Sequence, residues 1–249
     1  MKTVNNHPQV GQAPEVAPAP TGNLLLAAEM DRRPMFLPGS RAKKGIISDV
    51  KHLAAELEEH ESVLRATVFE GFAHLAFGIN HRLMRKAAAS GAERARFDLV
   101  VLIEAETPAT ARHVRENPVY QRLVRSVDES ARRVFTVAAL NARSMGEVVP
   151  HDRGVFLFNY FYAEDDAELI PVWDYTAGWW HANANLDNSR VMAPMEGERR
   201  DFGIINHCRW DRLREFVPHM AFRPSFRRFV LANFTASNIS AQPTLYRLA

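Results

Sequence analysis

Two stretches of this chain resemble each other about 106 residues apart, and that likeness limits the possible folds more than any other feature. Phe97–Val124 reads as a strand, a helix and then Pro118-Val119-Tyr120-Gln121-Arg122-Leu123-Val124. Phe202–Val230 reads as a strand, a helix and then Pro224-Ser225-Phe226-Arg227-Arg228-Phe229-Val230. Proline, aromatic, arginine and valine recur in register, and the same order of elements surrounds both copies, which points to duplication.

The hydrophobic pattern predicts the rest of each copy. Residues 24–30 read as a strand. An apolar stripe of Val50, Leu53, Ala54, Leu57 and Val63 predicts a helix from Ser48, its N-cap, to about Leu64. Residues 66–84 fit strand or helix. Phe97–Glu104 is a continuous aliphatic strand. Thr107 and Pro108 open a helix as N-cap and first residue, with a break near Asn117-Pro118. Arg133–Arg143 is a further strand, and Gly146–Gly154, with Pro150 and Asp152, a connector. The second series is a strand over Val155–Tyr162, a helix over Glu164–Asn183 and strands over Asn188–Met195 and Phe202–Trp210. A broken helix capped by Asp211 runs to about Phe234, before a last strand over Thr244–Leu248. The expected fold is α+β: two tandem ferredoxin-like (βαββαβ) repeats, each with two helices on one face of its sheet. The bare faces are covered by each other, in an intrachain dimeric α/β barrel. The expected units are a disordered proline-rich tail over 1–22, a degenerate repeat over 23–147 and a site-bearing repeat over 151–249.

Composition excludes several classes. Thirty-one Lys and Arg against 29 Asp and Glu leave a charge of +2, which gives no electrostatic reason for nucleic acid or a membrane as partner. The single Cys208 allows no disulfide within the chain. No apolar run approaches the roughly 18 residues a spanning helix needs, and no signal peptide is recognisable, so the expected address is the cytoplasm. The ten histidines form no metal-ligand spacing, and no metal is expected. Gly-x-Ser-x-Gly, Walker A and Gly-rich dinucleotide patterns are absent.

The second copy resembles the antibiotic biosynthesis monooxygenase family of dimeric α/β barrels. The likeness rests on the strand Val155–Phe161 with Asn159, on the Asn-x-x-x-Trp spacing of Asn206 and Trp210, and on the helix break at Phe222-Arg223-Pro224-Ser225-Phe226. The first copy has Val101 and Ala105 where the second has Asn206 and Trp210. The fused pair, the proline-rich start and the aromatic run Val172–Trp180 resemble, more narrowly, the angucycline B-ring-opening oxygenases of the jadomycin, gilvocarcin and kinamycin type. That resemblance implies an O2-dependent oxidoreductase opening a ring of a polycyclic aromatic in polyketide antibiotic biosynthesis. Its co-substrate would be a reduced flavin (FADH2 or FMNH2) delivered by a separate flavin reductase, and a homodimer is compatible with it. A cofactor-independent, quinone-forming monooxygenase and a non-catalytic ligand-binding barrel are the alternatives.

The implied catalytic residues are Asn159, Asn206 and Trp210. The two amides and the indole N–H would donate to an oxygen of substrate or peroxide. Side-chain alternation puts Asn206, Cys208 and Trp210 on one face of a strand and His207 on the other. An asparagine there also serves as a structural amide at a sheet edge. Trp173 and Trp180, seven apart on a helix, and His181 form the expected slot for a flat ligand, although helix packing alone explains the two tryptophans. His181 and His207 are the candidate bases. Trp179 lies off the slot face and requires a partner of its own. Cys208 is expected to be buried and inert.

Overall fold

The computed structural model describes residues 2–5, 13–14, 16–31, 35, 39–89, 91, 93–150 and 153–249. Residues 1, 6–12 and 15 of the expected tail and Asp152 of the expected connector lie outside them. Among the described residues, eight strands and seven α-helices are formed in the order β1 (Gly22–Glu29), α1 (Arg41–Glu58), β2 (Arg65–His74), α2 (His81–Ala88), β3 (Leu99–Ala105), α3 (Pro108–His113), α4 (Pro118–Asp128), β4 (Arg133–Gly146), β5 (Val155–Ala163), α5 (Leu169–Ala184), β6 (Ser189–Pro194), β7 (Ile204–Trp210), α6 (Val217–Phe222), α7 (Ala232–Ala236) and β8 (Ile239–Leu248).

The strands close into one antiparallel barrel, β1-β3-β2-β8-β5-β7-β6-β4, with β4 pairing back to β1. Closure removes both sheet edges, which would otherwise leave unpaired backbone. Alternate residues face opposite sides of the wall. Leu24 and Leu26 of β1 pack outward against α1 and α4, whereas Leu25 and Ala27 point into the barrel. The lumen is filled by aromatic rings, among them Phe69, Phe97, Phe156, Phe158, Tyr160 and Tyr246, several in edge-to-face contact. Tyr246 donates its hydroxyl to the Phe97 carbonyl at 2.7 Å, satisfying a polar tip that is otherwise fully enclosed. The buried Arg190 donates to the Glu104 carboxylate and to Asn23 Oδ1, an ion pair that needs such neighbours to offset its desolvation.

The structure corrects several element boundaries. Helix α1 begins seven residues before Ser48, capped by Ser40, whose side chain accepts from Lys43 N. A basic run and Gly45 hide its first two turns from a periodicity reading. Residues 66–84 take in all of β2 but its first residue, a connector and the start of α2. Strand β8 starts at Ile239 instead of Thr244, because Ser240, Gln242 and Thr244 are buried polar residues and Pro243 interrupts the pattern. Their partners explain the burial: Gln242 Oε1 accepts from Ala95 N, and Thr244 pairs with His74. Asp211 caps nothing. Its backbone N–H donates to Glu215, and the following segment splits into a 3₁₀ turn (Leu213–Glu215), α6, a π-helix (Phe226–Leu231) and α7. Thr107, Pro108 and the Asn117-Pro118 break stand as read from the sequence. Described residues of the proline-rich start lie against the body: Val16 pairs with Ser144, and Asn141 donates to the carbonyls of Ala19 and Thr21.

Gly22 shows how tightly the layers meet. A Cβ there would stand 2.3 Å from Pro108 Cα and 2.4 Å from the Thr107 carbonyl oxygen, both backbone. Gly22→Ala is therefore expected to cost about 1–3 kcal/mol, measured as a lowered urea midpoint at unchanged slope.

Candidate functional site

In the β5–β7 pair, Asn159 stands directly opposite Asn206. Opposite residues of an antiparallel pair hold their Cβ atoms about 4.5–5.5 Å apart, so both amides can reach one small group. Leu157, Asn159 and Phe161 face out from the barrel, as do Asn206, Cys208 and Trp210. Helix α5 and the broken C-terminal helical segment cover this face, with Trp173, Trp180 and Phe234 turned towards the amides.

The two asparagines differ. Asn206 is anchored: its Oδ1 accepts from the Ser189 hydroxyl at 2.6 Å. That leaves Nδ2 as the free end, with only Cys208 Sγ at 3.9 Å. Asn159 Oδ1 is buried and has no hydrogen-bond partner. An orphan of this kind costs about 1–3 kcal/mol, which a ligand or water donating to it would recover.

Five of the six residues singled out in the sequence line one cavity: Asn159, Trp173, Trp180, Asn206 and Trp210. His181 is not among them. It lies one residue round the helix from Trp180, exposed, with its Nδ1 on the Leu186 carbonyl at 2.9 Å. The role expected of the Trp210 indole also changes. Its Nε1 donates to the Ala184 carbonyl at 3.0 Å, at the end of α5, and its ring stacks on Phe216 at 4.3 Å. Trp210 is thus a wall, with no N–H to offer a ligand. Trp179 finds its partner in the core, fully buried and donating to Ser225 Oγ at 3.0 Å.

The expected open slot is closed. The cavity holds about 40 Å³, and a second of about 30 Å³ adjoins it behind Leu157, Asn159, Trp180, Trp210 and Phe234. Each volume suits a few waters or O2, whereas sites for drug-sized ligands run to roughly 300 Å³ or more. A fused-ring ligand enters only if the covering side chains move. The outer cavity wall is Phe216, Met220, Phe226 and Leu231, carried by short helical pieces without side-chain N-caps. Such pieces depend on packing for their stability.

Among the described residues, no charged side chain lines either cavity. Cys208 is fully buried, and burial pushes its thiol well above the ordinary range, so it is a neutral group. His207 points into the lumen, stacked on Phe158 at 4.1 Å with Nδ1 on the Leu157 carbonyl. Burial, assisted by the Arg190 charge, lowers its pKa to about 3. It is therefore no base for the amide cavity. The chemistry available is hydrogen bonding in a dry, uncharged pocket. Ser189 was missed in the sequence because a lone serine opening a strand carries no signal until its neighbour is known.

Among the described residues, no group of three or more His, Cys, Asp or Glu is placed to hold a metal, and no helix is long and apolar enough to cross a membrane. No family model and no curated protein matches the chain. Solved structures do. An anthrone oxidase-like protein superposes with a TM-score of 0.60 at 10% identity, over 91% of this chain and 90% of that one. A candidate monooxygenase from Fusobacterium nucleatum subsp. nucleatum gives 0.54 at 8% identity over 94% of each chain. Another from Lactobacillus acidophilus NCFM gives 0.50 at 5% identity, over 91% and 93%. These likenesses extend along the whole fold, an α+β chain closed into an eight-stranded antiparallel barrel.

Proposed function

We propose that this chain is an oxygenase of electron-rich phenolic aromatics, built as a tandem duplication whose second half carries the reaction. The observation that carries the reading is the amide pair. One amide has its carbonyl end held by Ser189 and presents N–H, and the other has an unpartnered carbonyl, side by side in an uncharged cavity walled by Trp173, Trp180 and Trp210. The fold shared with an anthrone oxidase-like protein accords with it.

Ground-state O2 is a triplet and reacts slowly with paired electrons, so the substrate must supply an electron at low cost. The proposed reaction is an internal monooxygenation. A methylene between two aromatic rings becomes a carbonyl and the second oxygen atom leaves as water. All four electrons come from the substrate, and no external reductant enters. The protein would orient the ring against the tryptophan wall, exclude water and hold O2 in the remaining space. The substrate's O–H proton would leave with that electron to O2, giving a hydroperoxyl radical, and Asn206 Nδ2 would donate to the substrate oxygen as the O–H bond weakens and negative charge develops there.

A reduced flavin does not fit this site. Among the described lining residues no cation would meet its phosphate, whereas an uncharged phenolic ring system needs none. Ring opening of an angucycline-type quinone, with its separate reductase, requires flavin and tetracycle together, so no step is derived through flavin. A homodimer is compatible with either reaction.

The test is product formation by the full chain from 1,8-dihydroxyanthrone in air, with and without reduced FMN, each beside a protein-free control, with O2 uptake followed in the flavin-free arm. Quinone formed above the control at one O2 per quinone, and no faster with the flavin, supports the proposal. Product above the control only with reduced flavin restores the ring-opening reading. Binding with no product above either control leaves a ligand-binding barrel.

A further inference from the structure

We infer that Ser189 is a positioning residue, and that Asn159 and Asn206 together select the hydroxyl form of an aromatic ligand over its keto or quinone form. The inference rests on the proposed function only for where the ligand sits.

Ser189 is fully buried, at the start of β6, with its hydroxyl 2.6 Å from Asn206 Oδ1. A primary amide can turn end for end, presenting either a donor or an acceptor. The bond to Ser189 occupies the carbonyl end, so Asn206 presents N–H. Asn159, directly across the strand pair, presents the unpartnered Oδ1. The pair is therefore one donor beside one acceptor. A phenol or enol oxygen matches both, since it accepts from Asn206 through a lone pair and gives its O–H to Asn159. A ketone or quinone oxygen satisfies Asn206 but leaves Asn159 orphaned, and a methyl group satisfies neither.

This preference has a chemical consequence. For a keto-enol aromatic, the enol is the tautomer that yields an electron to O2 most readily. Holding it favours the reactive form without a general base, which the cavity lining does not provide. The carbonyl formed by oxygenation has no O–H to offer Asn159, so product binds less tightly than substrate.

Calorimetric titration of the full chain near neutral pH, where 1-naphthol is un-ionised, tests this. The comparison ligands are 1-methylnaphthalene, of the same shape, and 1,4-naphthoquinone. The expected result is that 1-naphthol binds about tenfold or more tightly than either, a ratio equal to one lost buried hydrogen bond. Asn159→Leu is expected to abolish that advantage. Ser189→Ala is expected to reduce it several-fold while circular dichroism and melting show an intact fold, and Ser189→Thr to restore it. Wild-type ratios within twofold, or no detectable binding of 1-naphthol, overturn the inference. An unchanged ratio in Ser189→Ala removes Ser189 from it. Oxygen uptake without the preference leaves the oxygenase standing and sinks this selection, and the preference without uptake does the reverse.

Discussion

Asn206→Leu is expected to lower the rate constant for oxygenation by roughly 100- to 1000-fold, with a much smaller change in KM. The size follows from where the amide sits. Asn206 is about as buried as the hydrophobic core and meets no charge. In such surroundings a fixed N–H dipole acts on developing negative charge with little screening. Its orientation is set in advance by Ser189, so little reorganisation is spent when the charge appears. The donor matters more as charge accumulates on the substrate oxygen than when the neutral ligand first binds, which is why the loss falls on turnover. Leucine has nearly the same volume, so Trp173, Trp180 and Trp210 keep their places. The Ser189 hydroxyl loses its acceptor, a cost of about 1–3 kcal/mol visible in the melting curve. Steady-state kinetics beside thermal melting separates the two effects. An Asn206→Leu enzyme with unaltered kcat would remove the amide from the mechanism.

The second large effect is on stability in acid. Folding holds His207 neutral with its pKa lowered to about 3, through burial in the aromatic lumen and then the nearby Arg190 charge. Burial, with a contribution from Arg96, lowers His74 to about 4. In the unfolded chain both titrate near 6.5. Above that pH neither state takes a proton, and stability does not change on their account. Below it the unfolded chain binds protons that the barrel does not, so stability falls as pH falls, until the folded pKa values are reached. For His207 alone the loss between about pH 6.5 and pH 3 is on the order of 3–4 kcal/mol. Glu198 works in the same direction at the acid end: burial opposes its charge, but bonds from Arg115 and Ala138 N prevail and hold its carboxyl below the usual range. His207→Phe keeps the stack on Phe158 and removes one titrating group. Urea midpoints measured from pH 7 to pH 4 are expected to fall clearly less in this variant than in wild type. Parallel curves would show that His207 is not held neutral.

How much of this was legible beforehand depended on periodicity. The strand Leu99–Ala105 stood out by its continuous aliphatic run and Val155–Ala163 by its density of aromatics, and Thr107-Pro108 stood out because a cap and a proline mark a helix start. Alternation on β7 correctly put Asn206 and Trp210 on one face and His207 on the other. The early turns of α1 and the first half of β8 were hidden. Gly45 and a basic run blur the former, and the latter alternates with polar side chains whose partners are distant in sequence, at the cap of α2 and in the loop before β3. Partnership also decided what the site residues do. Nothing near Trp210 in sequence shows that its N–H ends on Ala184, and nothing near His181 shows that its ring turns to Leu186. Cavity volume was not legible either, because Phe226 and Phe234 close the slot from a helical segment whose breaks set their positions.

The fate of labelled oxygen tests the central claim most directly. The full chain is incubated with 1,8-dihydroxyanthrone under 18O2 without any reductant, and the product is analysed by mass spectrometry beside Asn206→Leu and a protein-free control. An internal monooxygenase places one 18O in the new carbonyl and the other in water, at a rate that collapses in Asn206→Leu. Product carrying no 18O, or labelled product formed equally fast by the variant and the control, contradicts it.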